Sequence, residues 1–296
     1  MWTGASERDD GLLWDITCPG RPGRLPGVTM AGFGDRGSTP PGLRLIPHPA
    51  VTLLLVFGGT IAVEDATGRQ RQGSFVTGLG FGDILRTRRM EAFECLQVRL
   101  SPVAAHAVLG GVVAEIGAVV TLDDLWGRES ARLSERLGAL SSWEDRFALT
   151  EAWLARRCAA ARRVDPEVAV AWHRIVARGG RGRIGHLAAE VGWSGKRLWS
   201  RFGAQLGLPP KRAAKLVRFD HAVHRLAAGR NAAGVAADGG YTDQSHLHRD
   251  VMEFTSLTPA TVVDEPFLAV DDIAWGWPGP LNRRGTGRVR AGDSGC

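Results

Sequence analysis

Apolar positions change their spacing twice along the chain. Between Ile46 and Leu100 they come in short or alternating runs: Val51–Phe57 is a short apolar run, Gly58-Gly59 a turn, Thr60–Glu64 a second strand, and Asp65–Arg69 a loop of turn residues. Ser74–Thr77, Asp83–Arg88 and Glu94–Leu100 are further candidate strands, the last setting Cys95, Gln97 and Arg99 against Leu96, Val98 and Leu100. That two-residue period belongs to strands, and several short strands at hairpin spacing predict a small barrel or sandwich. After Pro102 the period turns helical, predicting helices over about Pro102–Ala118, Asp124–Leu140 and Ser142–Ala161. Before Ile46 the chain is rich in Gly, Pro, Arg and Asp without a period. Residues 1–45 therefore read as a flexible lead, with Trp14, Ile16 and Val28–Phe33 as the positions able to pair onto the domain that follows.

The stretch from Ile184 to Pro259 carries a repeat. Leu187-Ala188-Ala189-Glu190-Val191-Gly192-Trp193-Ser194 returns as Val235-Ala236-Ala237-Asp238-Gly239-Gly240-Tyr241-Thr242, and Leu198, Phe202, Leu208 and Pro210 return as Leu247, Val251, Leu257 and Pro259. Each copy predicts helix, tight turn, helix. Ile184, Leu187, Ala188 and Val191 form one apolar stripe, Gly192 supplies a positive φ at its end, and Ser194 is suited to cap the helix Ser194–Leu206. In that helix Leu198, Phe202 and Leu206 share a side, leaving Lys196, Trp199, Ser200 and Gly203 on the other. In the second copy a short helix Asn231–Asp238 precedes one capped by Asp243, where Leu247 and Val251 point inward and Ser245, His248, Arg249 and Met252 outward. Pro209-Pro210 opens a spacer helix, Lys211–Leu226, closed by Gly229. A helix-turn-helix packs one side and leaves the other free for a major groove.

Charge sharpens this picture. The whole chain carries a formal +6, yet from Arg174 to Arg230 there are 13 Lys or Arg against Glu190 and Asp220, a local +11 that leaves −5 elsewhere. Positive charge concentrated on the repeat is the footprint of a polyanion partner, because phosphate contacts release counterions.

Other classes lose ground. With 296 residues, 44% of them hydrophobic, the chain can build two domains with cores of their own. Four scattered cysteines without a C-x-x-C pair fit a reducing cytoplasm and no zinc site. No signal peptide opens the chain, and Val103–Val120, the longest apolar candidate for a membrane span, is broken by His106, Glu115 and glycines. His48, between two prolines, and His106, on a helix, read as a loop histidine and a satisfied helical one, so no metal or other cofactor is expected.

The repeat resembles the DNA-binding domain of the AraC/XylS family of bacterial transcription regulators. The likeness rests on Leu187-Ala188, Gly192-Trp193-Ser194, Leu198-x-x-x-Phe202, Gly207-Leu208-Pro209-Pro210, the run Gly240–Arg249, and Leu257-Thr258-Pro259, and it covers about residues 175–262. Ser256 departs from the family's usual glycine. The resemblance implies base-reading positions at Lys196, Trp199 and Ser200 in the first unit and Gln244, Ser245, His248 and Arg249 in the second. Arg197, Arg201, Lys211 and Arg218 are expected at phosphates or in structural pairs. It also implies a cupin-like N-terminal barrel that binds an effector or helps dimerise, with RNA polymerase as a further partner.

The expected fold is therefore α+β: a flexible lead (1–45), a β-rich sensor or dimerisation domain with trailing helices (46–163), an all-α domain of two helix-turn-helix units joined by a spacer helix (164–270), and a disordered tail (271–296) rich in arginine. Residues Arg162–Pro166 are the expected hinge. The expected function is cytoplasmic, sequence-specific regulation of transcription on double-stranded DNA, without a membrane and without catalysis. The second reading is an enzyme whose chemistry lies in the β-rich half, with the DNA-binding half as its tether. No nucleophile–base pair, Walker loop or metal cluster in the sequence supports it.

Overall fold

The computed structural model describes residues 13–35, 37, 39–79, 84–112, 119–161 and 163–275. The fold is α+β, with an antiparallel sheet in the N-terminal half and helices throughout the C-terminal half. Among the described residues, seven strands form one sheet: β1 (Trp14–Thr17), β2 (Val28–Asp35), β3 (Val51–Glu64), β4 (Gln70–Gln72), β5 (Phe75–Thr77), β6 (Arg86–Leu100) and β7 (Val119–Thr121). Its order is β1-β2-β6-β3-β5-β7, with β4 also on β3, so the two longest strands lie side by side in the middle.

Two expectations about the sheet change. The stretch before residue 46 is not a flexible lead over its described part. Trp14 pairs with Asp35 and Val28 with Leu100, placing β1 and β2 in the sheet, while residues 1–12 lie outside the described ones. Gly58-Gly59 is also no hairpin turn. β3 runs straight through it, and its register against β6 shifts between Val56 and Gly58 and again between Gly58 and Thr60. Gly59 has φ +60, and a Cβ there would lie 2.3 Å from the carbonyl oxygens of Glu91 and Ala92, so this irregularity needs a glycine. The shift resets the alternation. Leu54 and Val56 face one side before it, and Ile61 and Val63 face that same side after it.

Both faces of the sheet are covered. Leu53, Leu55, Leu96, Val98 and Leu100 point to α1 (Pro102–Val108), α3 (Arg128–Gly138) and α4 (Trp143–Ala159), packing with Val108, Leu137 and Leu154. Arg146 of α4 bonds the Leu137 carbonyl at 3.2 Å and Glu94 at 3.1 Å, and its guanidinium covers Phe57 and Trp143. Helix expectations here hold in kind and shift in extent. α1 ends at Val108 instead of Ala118, with 113–118 outside the described residues. The helix expected over Asp124–Leu140 divides at Gly127 into α2 (Leu122–Trp126) and α3.

In the C-terminal half, α5 (Pro166–Ala177) leads into α6 (Ile184–Glu190), α7 (Gly195–Leu206), α8 (Pro210–Ala227), α9 (Ala232–Gly239) and α10 (Gln244–Thr255). The expected caps are present: Ser194 accepts from the Arg197 N–H and Asp243 from the His246 N–H. Past a short 3₁₀ turn, α11 (Pro266–Trp275) returns to the sheet and packs on β1, β2 and α8. A disordered tail from residue 271 is thereby corrected as far as Trp275: Phe267, Val270 and Ala274 are apolar on one side and join the core beside Trp14 and Phe33. Residues 276–296 and their arginines lie outside the described residues, as does Arg162 of the expected hinge. No described helix is long and apolar enough to cross a membrane.

Candidate nucleic-acid interface

The two units are held from beneath and bare on top. In the first, Leu198, Phe202 and Leu206 of α7 are fully buried against Val168, Leu187, Ala213 and Val217. In the second, Leu247 and Val251 of α10 are likewise buried, and Phe254 packs at a tilt against Phe219 of α8 with centroids 4.7 Å apart. A charged cluster adds to this second contact. Asp250, with its side chain 3% exposed, receives Arg218 at 2.9 Å and Lys215 at 3.1 Å, both from α8. Arg218 also covers the Tyr241 ring at 4.7 Å. It is therefore a structural arginine, one of the two roles expected for it.

All the candidate contact residues, Lys196, Arg197, Trp199, Ser200, Arg201, Lys211, Gln244, Ser245, His248 and Arg249, are exposed. Trp199 is 59% exposed, so its ring does not pack back on its own domain. A large apolar ring left in water on a helix face suits contact with a base edge such as a thymine methyl. Gln244, Ser245, His248 and Arg249 line one surface hollow together with Arg230, Thr258 and Pro259. Arg230 was not among the candidates from the sequence. Its membership in the basic stretch was visible there, but its place beside α10 depends on how α8 ends.

Three of the cations have local partners. Arg201 makes a bidentate pair with Asp165 at 2.8 and 3.0 Å, which holds the Asp165 carboxyl below its usual range. Arg197 lies over the Trp193 ring at 4.4 Å, and Arg249 Nε donates to the Ser245 carbonyl at 3.3 Å. These are exposed and weak contacts that a phosphate or a guanine edge can replace.

The other face of the sheet carries a second site. A cavity of about 90 Å³ is lined mainly by apolar side chains, among them Trp14, Phe33, Leu54, Ile61, Phe75 and Phe93, with Phe267, Val270 and Asp271 of α11 forming one wall. His48 and Arg99 stand in it as well. His48 Nε2 is 2.9 Å from Thr52 Oγ1, and burial first, then Arg99 and His224, hold the ring well below its ordinary pKa, so it is neutral. His48 is thus a cavity residue, while His106 has the expected satisfied role, its Nδ1 3.0 Å from the Gln205 carbonyl. One faint signal for Arg99 is legible in the chain: it alternates with leucines and valines that are buried, as a cavity-facing residue does as well as a solvent-facing one.

Residues 187–264 match a family described as a helix-turn-helix domain. No curated protein matches the chain. Among solved structures, the chain is similar to ToxT from Vibrio cholerae O395 at 6% identity, with 82% of this chain and 98% of that one covered and a TM-score of 0.48. The C-terminal domain of AraT, a response regulator from Geobacillus stearothermophilus, aligns at 17% identity over 34% of this chain and 87% of its own, with a TM-score of 0.33. The AraC-like transcriptional activator CuxR aligns at 19% identity over 66% of this chain and 82% of its own, with a TM-score of 0.26. The repeat and its two buried helix cores agree with the family match, and residues 187–264 are a helix-turn-helix domain.

Proposed function

We infer that this chain is a sequence-specific transcription regulator that reads double-stranded DNA with α7 and α10 and senses a small molecule through the cavity against the sheet. One observation carries the DNA reading. Within the matched domain both second helices bury one side completely and leave Lys196, Trp199 and Ser200, and Gln244, Ser245, His248 and Arg249, exposed on the other. Their chemistry suits base edges: Arg for guanine O6 and N7, Gln for adenine N6 and N7. α8 serves as the rigid spacer that sets the two helices into successive major grooves, about 34 Å apart. Arg197, Arg201 and Lys211 supply phosphate contacts. A homodimer, RNA polymerase as a partner and a cytoplasmic location accompany this reading.

Selection of bound fragments from a random duplex pool with the full-length protein tests it. A defined motif is expected, with affinity falling against salt at a log-log slope of roughly −0.9 per phosphate contact. Enrichment of no motif, or salt-insensitive binding, would overturn it. Stoichiometric binding of a small molecule that changes DNA affinity belongs to the same reading, whereas turnover of that molecule would favour an enzyme tethered to DNA.

A further inference from the structure

The cavity against the sheet is apolar along most of its wall and polar at one place. His48 Nδ1, Thr77 Oγ1 and Arg99 Nε are buried without a hydrogen-bond partner, and all three belong to residues that line this cavity. Leaving such groups unpaired costs about 1–3 kcal/mol each, so their convergence on one chamber is the mark of a site for a polar group. Arg99 is a cation, His48 is neutral, and Asp271 is the only acid among the described lining residues. Asp271 comes from α11, outside the sheet, and it is ion-paired to Arg99.

α11 itself has the chemistry of a ligand for this chamber. Phe267 stacks on Trp14 at 4.9 Å and Val270 lines the wall, giving an apolar body. Asp271 gives one carboxylate, and Arg99 is further sandwiched by the Trp275 ring at 4.5 Å. With the helix in place the chamber is about 90 Å³, well below the ~300–1,000 Å³ of an ordinary small-molecule site. An occupant of ordinary size therefore needs the space that α11 fills.

We propose that α11 is a displaceable intramolecular ligand of the sheet cavity, and that an amphiphilic monocarboxylate evicts it by replacing the Asp271 carboxylate at Arg99. The helix lies immediately after the second helix-turn-helix unit, and the other oxygen of Asp271 is 3.6 Å from His224 Nε2 on the spacer helix α8. Eviction removes a contact that the spacer helix makes in the closed form. This is how occupancy reaches the DNA-binding half, and it deepens the effector-sensing part of the proposed function, on which it rests.

The test uses the full-length protein, with octanoate as the anionic probe and 1-octanol as its neutral counterpart. Amide hydrogen exchange over residues 266–275 is expected to rise about tenfold with saturating octanoate and to stay near its resting rate with 1-octanol. Asp271→Asn weakens the internal competitor, so octanoate should bind it about tenfold tighter than the parent chain, as a charge-assisted contact predicts. Arg99→Gln should bind octanoate no better than 1-octanol. Octanoate binding with α11 still protected, no preference over 1-octanol, no octanoate binding at all, or weaker binding to Asp271→Asn would each overturn the proposal. Exchange reads α11 and not DNA: a probe that frees α11 yet leaves DNA affinity unchanged would keep the latch and count against effector sensing.

Discussion

Arg218 Nη2 on the spacer helix lies 2.9 Å from Oδ2 of Asp250 on the second recognition helix, and that carboxylate is almost wholly out of water. The pair fixes the orientation of α10 on α8 from below, on the side away from the candidate base contacts. Removing the guanidinium leaves Asp250 buried with Lys215 as its one remaining cation from α8. Arg218→Met should therefore cost about 2–3 kcal/mol in denaturant unfolding, and Asp250→Asn less, because the cations it leaves, Arg218 and Lys215, are 18% and 25% exposed and reach water more readily than the carboxylate does. A loss under about 0.5 kcal/mol for Arg218→Met would mean that the pair does not hold the helix.

Ser256 ends α10 in the left-handed region, at φ +54, where the family resemblance places a glycine. A side chain at such a φ costs roughly 1 kcal/mol. Ser256→Gly is expected to stabilise the protein by about 0.5–1 kcal/mol, since Ser256 is exposed and its side chain buries nothing. Unfolding midpoints of the two proteins decide the matter, and an unchanged or lower midpoint contradicts it.

Acid should loosen the C-terminal half before its carboxylates protonate. Burial first, then Arg225, His224 and Arg181, lowers the His221 pKa from 6.5 to about 4. Between those values the unfolded chain takes up a proton that the folded chain declines. The contribution is fully present above about pH 6.5 and is lost as pH falls towards 4. At 1.36 kcal/mol per unit, discounted because the ring is partly exposed, the loss is about 1–2 kcal/mol. His48 shifts in the same direction. His221→Gln should flatten the stability profile between pH 6.5 and 4, and an unchanged slope would count against this assignment.

The C-terminal half was legible because it states its plan twice: each apolar stripe checks the other, and Ser194 and Asp243 mark the helix starts. The sheet was harder to read, for two physical reasons. A bulge at Gly58-Gly59 looks in sequence like a hairpin, since both break an alternation with glycine; only pairing across to β6 separates them. A strand buried on both faces also hides its polar cavity residues, because Gln97 and Arg99 alternate with apolar neighbours just as solvent-facing residues would, although they line the cavity. Asp271 was beyond reach altogether, because its meaning comes from where α11 lands rather than from its neighbours in the chain.

The central claim, that α10 reads bases, meets its most direct test at Arg249. This residue is exposed one turn after Ser245 and opposite the buried Leu247 and Val251, with its Nε donating to the Ser245 carbonyl at 3.3 Å. Arg249→Ala and Lys211→Ala should be titrated against the selected duplex and a scrambled one. The account predicts that Arg249→Ala loses about 1–3 kcal/mol on the selected duplex alone and relaxes one base position, whereas Lys211→Ala weakens both duplexes alike. Equal losses on the two duplexes for Arg249→Ala would contradict it.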